Sequence, residues 1–282
     1  MMCRVLKVSP SGYYSWKDRE PSLSARRREI LKAEVKKLFS DFKKRYGAIR
    51  LTRELNGNGI NCSLNYVASL LSELGLRACN GKCFRYSKPN SSKKNIRPNI
   101  LARDFKAERP NEKWVTDITY IRVNGKWLYL AAVMDINGKW LYLAAVMDLY
   151  SKAIVGWSLA NHMMDSLIKD AFKMAVSRRK IISELVVHSD QGIQYRSNEY
   201  QEYLQNHGCQ LSMSRKGNCW DNAAMESFFS RLKVELVYAE QFRDFEHAKL
   251  LIFEYIEVFY NRIRRHSANN YLSPMQFEQQ FL

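Results

Sequence analysis

The sequence contains no apolar run approaching the roughly 20 residues that a membrane-spanning helix requires. Its N-terminus also lacks the apolar central segment of a secretory signal peptide. These two absences argue against an integral membrane protein and against a secreted protein. We therefore expect a cytoplasmic protein with no membrane partner.

Cysteine is present without any recognisable arrangement. Only Cys79 and Cys83 are close in sequence, and no histidine lies near them, so the His and Cys pairs of a structural zinc site are missing. Scattered cysteines without a disulfide framework are typical of a reducing compartment. We expect neither disulfides nor structural zinc. The six cysteines are Cys3, Cys62, Cys79, Cys83, Cys209 and Cys219.

Negative charge is also scarce. The 282 residues include 28 acidic and 45 basic side chains, and the resulting net charge of +17 favours a polyanionic partner, most commonly nucleic acid. Aromatic residues make up 12% of the chain and are interspersed among the basic ones, which favours DNA over the alternative of a merely basic protein. The length allows two modest domains, or one core with appendages.

Three acidic residues stand out by their local pattern. The apolar residues 185–187 lead through His188 and Ser189 to Asp190, as in a buried parallel strand whose carboxyl end opens onto a ligand site. Asp117 lies at the centre of a predicted strand, where aspartate is normally depleted. Glu226 follows the predicted start of a helix whose apolar stripe comprises Met225, Phe228, Phe229, Leu232 and Leu236.

Two strand carboxylates and one helix carboxylate form a minimal oxygen set for two Mg²⁺ or Mn²⁺ ions, with substrate phosphate and water completing the shells. Such a metal pair activates the attacking oxygen and stabilises the leaving one in a displacement at phosphorus. Each acid taken alone is most often a solvated surface group. The pattern by itself therefore predicts a metal triad of Asp117, Asp190 and Glu226 only as one interpretation.

Longer stretches around these acids resemble a known family. They are WVTDITY at 114–120, HSDQGIQY at 188–195, and SMSRKGNCWDNA at 212–223 with ESFF at 226–229. They are similar to the DDE signature of bacterial insertion-sequence transposases with a retroviral-integrase-like core, specifically the second-reading-frame subunit. The 35 residues between Asp190 and Glu226 match that family's D-D-35-E spacing. The resemblance covers nearly the whole chain.

The resemblance implies an α/β fold, namely a ribonuclease-H-like mixed sheet with flanking helices, preceded by an all-α helix-turn-helix-like region. It implies metal-dependent DNA cleavage and strand transfer, with Asp117, Asp190 and Glu226 as catalytic residues and as ligands of two Mg²⁺ (or Mn²⁺) ions. No His or Ser nucleophile is required, so His188 is interpreted as a structural residue at the strand end. A ribonuclease-H-like nuclease without strand transfer is a weaker alternative.

Four regions are expected along the chain. Residues 1–77 form a helical, helix-turn-helix-like DNA-binding region, and residues 78–110 a basic linker that we expect to be extended and disordered without DNA. Whether this linker follows the DNA backbone or is a simple tether stays open. Residues 111–240 form the integrase catalytic core, and residues 241–282 a C-terminal helical extension.

The helix-turn-helix prediction rests on two short helices separated by residues 56–59, with Ser63 capping the second. An ordinary pair of antiparallel helices gives the same pattern. The family resemblance favours DNA binding, in which the second helix enters the major groove. Asn65 and Tyr66, near the start of that helix, are the predicted contacts.

Further DNA contacts are predicted outside this region. Arg215 and Lys216 lie in a loop near the proposed metals, which either closes over DNA or is a plain surface loop. Lys233 lies on the flanking face of the Glu226 helix, and the last group follows the C-terminal helix at Arg262, Arg264 and Arg265. The resemblance also implies a homo-oligomer on DNA, a nucleoid-associated location and a companion subunit from an upstream reading frame.

One feature departs from the family pattern. Residues 124–136, NGKWLYLAAVMDI, are followed by residues 137–149, NGKWLYLAAVMDL, which is a tandem duplication identical at 12 of 13 positions. Threading both copies as strands would reverse the direction of the next strand, so we expect one copy to be expelled at the sheet edge. The duplication raises an alternative function: a DNA-binding remnant whose catalytic core is impaired.

Overall fold

The computed structural model describes residues 2–6, 8–79, 95–123, 139–181, 184–215 and 218–281. The chain divides into two compact units, Met1–Cys79 and Asn80–Leu282. Within the described residues, no helix has both the length and the apolar character needed to cross a membrane.

The N-terminal unit is helical. Its helices are α1 (Met2–Val5), α2 (Pro10–Lys17), α3 (Leu23–Asp41), α4 (Ala48–Gly57) and α5 (Leu64–Glu73). Apolar residues at helical spacing in the last three helices form its core, because each helix buries one face against the others. The core residues include Leu31, Val35, Phe39, Leu51, Leu55, Val67 and Leu70.

The helix pair predicted from the sequence is present. The turn after α4 includes Gly59 with a φ of 81°, a conformation that glycine adopts without strain. The Ser63 hydroxyl accepts a hydrogen bond from the Tyr66 backbone N–H at 3.3 Å, which caps α5 as predicted. The local sequence therefore determines both the turn and the start of the second helix.

The second unit is built on a five-stranded mixed sheet in the order β3-β2-β1-β4-β5. The strands are β1 (Lys113–Val123), β2 (Lys139–Asp148), β3 (Ile154–Ala160), β4 (Val186–Ser189) and β5 (Gln210–Met213). β1, β2 and β3 pair antiparallel, whereas β1 pairs parallel with β4, and β4 with β5. The predicted mixed sheet with flanking helices is confirmed.

The helices of this unit are α6 (Asp165–Arg178), α7 (Asn198–Asn206), α8 (Ala223–Leu232), α9 (Phe245–Phe253) and α10 (Pro274–Glu278). Two of them continue as π-helices, α8 through Lys233–Val237 and α9 through Glu254–Tyr260. In α9 and its continuation the buried residues follow one another at helical spacing from Ala248 and Ile252 to Tyr255, Ile256 and Phe259.

Gly156 in β3 allows α6 to lie directly on the sheet. A Cβ at this position would be 2.1 Å from the Ala171 carbonyl oxygen and 2.8 Å from the Ala175 Cβ. Any larger residue would therefore push α6 away from the core. The core between the sheet and α6 includes Trp114, Phe172 and their neighbours, and it packs against β1 and β4.

The second copy of the duplication forms β2. Its Lys139 pairs with Val123 of β1, and its Tyr142 pairs with Ala160 of β3, so only one copy takes part in the antiparallel arrangement of the described strands. The second copy therefore supplies the strand between β1 and β3. Residues 124–136, the other copy, lie outside the described residues, so its expulsion at the sheet edge stays a prediction.

The contacts after the second copy explain why that copy is β2. The Asp148 carboxylate accepts backbone N–H groups from Asn111 at 2.8 Å and from Tyr150 at 2.9 Å, and the Asp148 N–H donates to the Ala153 carbonyl at 2.9 Å. These bonds form the turn into β3. The first copy is followed by Asn137 and Gly138 instead, and it lacks this turn sequence.

We expect deletion of residues 124–136 to stabilise the fold. The connection between Val123 and Lys139 would shrink from 15 residues to the dipeptide Asn137–Gly138, a favoured two-residue hairpin turn. The shorter loop should raise the free energy of unfolding by about 1–2 kcal/mol, measured by urea denaturation of the full and shortened chains. Deletion of residues 137–149 is the matched control, since it leaves the same sequence except for Ile136 in place of Leu149. A loss of stability in both deletions would contradict the assignment of β2.

Residues 95–110 differ from the prediction. Part of this stretch, residues 95–104, which we call the docked segment, packs against the sheet beside β5. The Met213 N–H donates to the Pro98 carbonyl at 3.2 Å, and the Ser212 hydroxyl accepts the N–H groups of Ile100 and Leu101 at 2.9 and 3.0 Å. The prediction of a disordered linker is wrong for residues 95–110, because β5 is an edge strand whose backbone and Ser212 hydroxyl offer partners.

Candidate active site

Asp117 lies within β1, and Asp190 directly follows the neighbouring parallel strand β4. β1 and β4 pair from Lys113 opposite Val186 to Val115 opposite His188, so the pairing ends two residues before each acid. Neighbouring strands are about 4.8 Å apart where they pair. Both acids therefore follow the same end of the β1–β4 pairing.

The charges of both acids act on the buried phenol of Tyr195. Burial, followed by the charges of Asp117, Tyr200 and Asp190, raises the pKa of Tyr195 well above its usual value. Its hydroxyl lies 3.2 Å from the hydroxyl of Thr116, the residue before Asp117. The two carboxylates therefore share one electrostatic environment at the edge of the core.

Gly192 holds the Asp190 side chain in place. Its N–H donates to Asp190 Oδ1 at 2.8 Å, which closes a local turn of the kind that aspartate commonly forms. A Cβ on Gly192 would be 2.9 Å from the same oxygen, so a larger residue would displace the carboxylate. This explains the glycine two positions after the acid in the sequence.

Glu226 is exposed in the first turn of α8. The preceding Asn222 donates from Nδ2 to the Thr116 carbonyl at 3.2 Å, which anchors the start of α8 beside the residue before Asp117. A carboxylate at a helix N-terminus is favoured by the helix dipole. Glu226 thus faces solvent on the helix that packs against β1.

The site suits a magnesium or manganese ion in its chemistry. Its donors are carboxylate oxygens, and Mg²⁺ in phosphoryl-transfer sites is commonly held by one or two carboxylates with substrate phosphates and water. Among the residues that the structure describes, no three His, Cys, Asp or Glu side chains are grouped closely enough to hold a metal ion. The structure therefore brings Asp117 and Asp190 together without joining Glu226 to them in one cluster.

Lys233 lies close to this site. It is half-buried in the π-helical continuation of α8, with Nζ 5.8 Å from the centre of the Tyr120 ring. Burial lowers the pKa of Lys233, whereas the charge of Asp117 raises it. Its ammonium group thus contributes positive charge near the acids. The predicted DNA contact of Lys233 stays a prediction.

His188 is fully buried behind the acids, and both ring nitrogens have partners. Nδ1 lies 2.8 Å from the Ser212 hydroxyl and Nε2 lies 3.0 Å from the Ser214 hydroxyl. Because Ser212 Oγ already accepts two backbone N–H groups, its single proton is left for His188 Nδ1. His188 Nε2 then carries its own proton and donates it to Ser214, so the geometry fits the structural role expected for this residue.

Protein stability should depend on His188 below neutral pH. Burial lowers the pKa of His188 from 6.5 to about 4, although Asp221 and Asp190 oppose the shift. The unfolded state therefore binds more protons than the folded state in this range, and stability is lost as pH falls from 6.5 towards 4, by up to about 1.4 kcal/mol per pH unit. Asp148 acts in the opposite sense, because burial raises its pKa to about 6.

Comparison with His188→Gln isolates the histidine contribution, since Asp148 is unchanged in both chains. The difference in unfolding free energy between wild type and variant should narrow by up to about 3 kcal/mol from pH 7.5 to pH 4. Denaturant titrations at several pH values measure it. A difference that is independent of pH would show that His188 is protonated alike in the folded and unfolded states.

The predicted DNA contacts in the N-terminal unit lie at the start of α5. Asn65 is exposed, and Tyr66 is half-buried with the Arg28 guanidinium 5.7 Å from its ring centre. Arg28 also pairs with Glu73 at 2.5 Å, so it joins α3 to the end of α5. Asn65 is accessible for contact, whereas Tyr66 already packs against a neighbouring helix.

The predicted C-terminal contacts divide into three cases. Arg262 is exposed, and half-buried Arg265 donates to the Tyr271 carbonyl at 3.1 Å. Arg264 is buried and binds Glu235 through two hydrogen bonds of 2.9 and 2.7 Å. The predicted DNA contact of Arg264 is wrong, because its guanidinium forms a buried ion pair with Glu235.

In the loop before α8, Arg215 binds Asp221 through its backbone and its guanidinium. Lys216 lies outside the described residues. Asp221 and Asn222 anchor the start of α8, although the sequence interpretation treated them only as the beginning of a helix. The signal was present as an Asp-Asn pair directly before the helix of Glu226, but their partners come from distant segments.

Family comparisons agree with this architecture. Residues 107–219 and 226–282 match sequence families described as integrase core domains, and residues 25–82 match an HTH-like domain. The chain is 42% identical over 282 residues to the transposase InsF for insertion sequence IS3A of Escherichia coli K12, which covers 98% of this chain and 92% of that protein.

Two further proteins are similar to this chain. The transposase for insertion sequence element IS904 of Lactococcus lactis is 40% identical over 261 residues, covering 92% of this chain and 98% of that protein. A chain of the simian T-cell lymphotropic virus intasome superposes with a TM-score of 0.47 at 14% identity, covering 86% of this chain and 73% of that one.

The mixed sheet and the family match over residues 107–219 define an integrase-type core, carried on the same chain as a helix-turn-helix-like unit. The chain belongs to the transposases of bacterial insertion sequences. It is accordingly a polynucleotidyl transferase that acts on DNA. The alternative of a catalytically impaired remnant is not favoured, since β1 keeps its pairing with β2 and β4 on both sides of Asp117 despite the duplication.

Proposed function

We propose that Asp117, Asp190 and Glu226 hold two Mg²⁺ (or Mn²⁺) ions at which this transposase cleaves the ends of its element and joins them to target DNA. The observation that supports the proposal is the parallel β1–β4 pairing, which ends at Val115 and His188, two residues before Asp117 and Asp190 respectively. Two such ions, when bound, activate the attacking oxygen and stabilise the leaving oxygen in displacement at a phosphodiester.

The chain's own residues position this chemistry. The turn at Gly192 fixes the Asp190 carboxylate, and the bond from Asn222 to the Thr116 carbonyl fixes the start of α8 beside Asp117. Glu226 is exposed in the first turn of that helix, where it completes the metal shell together with substrate phosphates in the DNA complex. No histidine or serine nucleophile is needed, because positioning and charge neutralisation account for catalysis of this type.

DNA binding is assigned to two parts of the chain. The N-terminal unit uses α5 as a recognition helix with Asn65 at its exposed start, and the core adds Lys233, Arg215 and Arg262 near the scissile strand. A homo-oligomer on DNA, together with a companion subunit from an upstream reading frame, completes the proposed assembly. Since its substrate is chromosomal DNA, the protein works at the nucleoid.

Manganese binding tests the metal assignment independently of DNA joining. Electron paramagnetic resonance of Mn²⁺ should count two ions per chain in the complex with element-end DNA, and fewer in Asp117→Asn. The same chain should cleave element-end duplex and join it to plasmid DNA in Mg²⁺ but not in EDTA. Cleavage of RNA–DNA hybrid without any joining would support the nuclease alternative, and Mn²⁺ binding unaffected by Asp117→Asn would contradict the site.

A further inference from the structure

A fourth acidic residue near the active site is placed quite differently from the three proposed ligands. Asp221, directly before α8, is fully buried and accepts five hydrogen bonds. Oδ1 accepts from Arg103 Nε at 2.7 Å and from Arg215 Nη2 at 3.0 Å. Oδ2 accepts from Asn99 Nδ2 at 3.0 Å and from the Arg215 N–H and Nε at 2.9 and 3.0 Å.

These bonds saturate the carboxylate. A carboxylate offers about four lone-pair sites, and here both oxygens are fully engaged by cationic or amide donors. A buried charge is tolerated only when it is paired and hydrogen-bonded in this way. Asp221 therefore has no oxygen left for a metal ion, and its burial keeps it away from DNA.

The partners of Asp221 come from two separate parts of the chain. Asn99 and Arg103 belong to the docked segment, more than a hundred residues earlier, whereas Arg215 belongs to the loop that leads into α8. Both arginines are partly exposed, with 44% and 58% of their side chains accessible. The carboxylate thus joins the docked segment to this loop at one buried point.

The location of this junction connects it to catalysis. The next residue, Asn222, bonds to the Thr116 carbonyl, and Glu226 follows in the first turn of α8. Since a helix is a stiff element, a shift of its first residues moves Glu226 relative to Asp117. A misplacement of about 1 Å at a reacting centre can reduce a rate by roughly 100-fold.

We propose that Asp221 is a positioning residue which, by binding Arg103 and Arg215 together, sets the start of α8 and hence the position of Glu226. Asn99 and Arg103 of the docked segment then supply half of the junction. This proposal rests on the proposed function, because it gives Glu226 a role at the metal site.

The test compares full-length variants by single-turnover cleavage of element-end DNA over a range of Mg²⁺ concentrations. Asp221→Asn keeps the shape of the side chain but removes its charge. We expect the cleavage rate to fall about 30–100-fold, the Mg²⁺ concentration at half-maximal rate to rise several-fold, and the dissociation constant for DNA to stay within about threefold. A higher Mg²⁺ requirement is the signature of a displaced ligand, which a general loss of stability would not produce.

Arg103→Gln provides a second variant in case Asp221→Asn does not fold. It removes one bond from a partly exposed side chain, and we expect a rate about 10-fold lower with the same shift in Mg²⁺ requirement. Arg97→Gln is the matched control: Arg97 lies in the same docked segment but donates to Gln201 at 2.7 Å, not to Asp221. Its cleavage rate and Mg²⁺ requirement should stay within about twofold of wild type.

The outcomes separate this proposal from the proposed function. If Glu226→Gln is inactive while folded Asp221→Asn or Arg103→Gln keeps the wild-type rate and Mg²⁺ requirement, the positioning role is wrong and the metal site stands. If Glu226→Gln is active, both fail together. If Asp221→Asn and Arg103→Gln weaken only DNA binding, the arginines act on phosphate and the positioning role is again wrong.

Discussion

Asp190→Asn is expected to lower the rate of DNA cleavage by at least about 10³-fold, equivalent to about 4 kcal/mol in activation free energy. The amide retains an oxygen for the Gly192 N–H, so the local turn should persist. It removes the negative charge that would hold a divalent cation between β1 and β4. Asp117→Asn and Glu226→Gln should behave alike, and DNA affinity should stay within about threefold in all three variants.

Single-turnover cleavage and DNA-binding titrations with the same duplex measure the two effects separately. Asp170→Asn on α6 and Glu246→Gln in the first turn of α9 are matched controls, because both residues are exposed. Combining two of the site variants should add little further loss, since residues that act as one unit are not additive. An unchanged cleavage rate in any single variant would remove that acid from the site.

Arg264→Met is expected to reduce the free energy of unfolding by about 3–5 kcal/mol, because removal of one partner leaves a buried charge uncompensated. Glu235 would lose both hydrogen bonds from Arg264 and keep the one that the Tyr255 hydroxyl donates at 2.9 Å. The Arg264 guanidinium also lies 5.7 Å from the centre of the Tyr260 ring, so this contact is lost as well. The pair joins the π-helical continuation of α8 to the chain just after that of α9.

Chemical denaturation measures this loss as a shift in midpoint at constant slope. The double variant Glu235→Leu with Arg264→Met is the decisive control, since replacing both charges by apolar groups of similar size is often neutral or stabilising. Tyr255→Phe should cost less, about 1–3 kcal/mol, since the ion pair remains. If Arg264→Met alone lowers the free energy of unfolding by less than about 1 kcal/mol, the pair contributes no more than an exposed ion pair. Its burial then does not add to the stability of the fold.

Several elements of the fold could be predicted because their signals are local. The apolar run before Asp190 gave the short parallel strand β4, and the stripe of Met225, Phe228, Phe229 and Leu232 gave α8. Ser63 and the glycine turn before it determined the start of α5. In each case a periodicity or a capping residue acts within a few positions, so no distant partner is needed.

The predictions that were wrong concern residues whose partners are distant in sequence. The docked segment has the composition of a flexible linker, yet it is held by Ser212, Met213 and Asp221, which lie more than a hundred residues away. Arg264 lies in a basic segment with Arg262 and Arg265, a composition typical of a DNA contact, yet Glu235 binds it in the interior. Composition describes what a residue could bind, but not which partner the fold brings to it.

The amino-acid sequence alone determined the mixed sheet, the helical N-terminal unit, the identity of the three candidate acids and the existence of the duplication. Only the tertiary structure decided that the second copy forms β2, that β1 and β4 pair in parallel just before Asp117 and Asp190, and that Asp221 joins two remote segments beside α8. The physical reason is range: backbone periodicity acts over a few residues, whereas strand register and buried ion pairs depend on segments that meet only once the chain has folded.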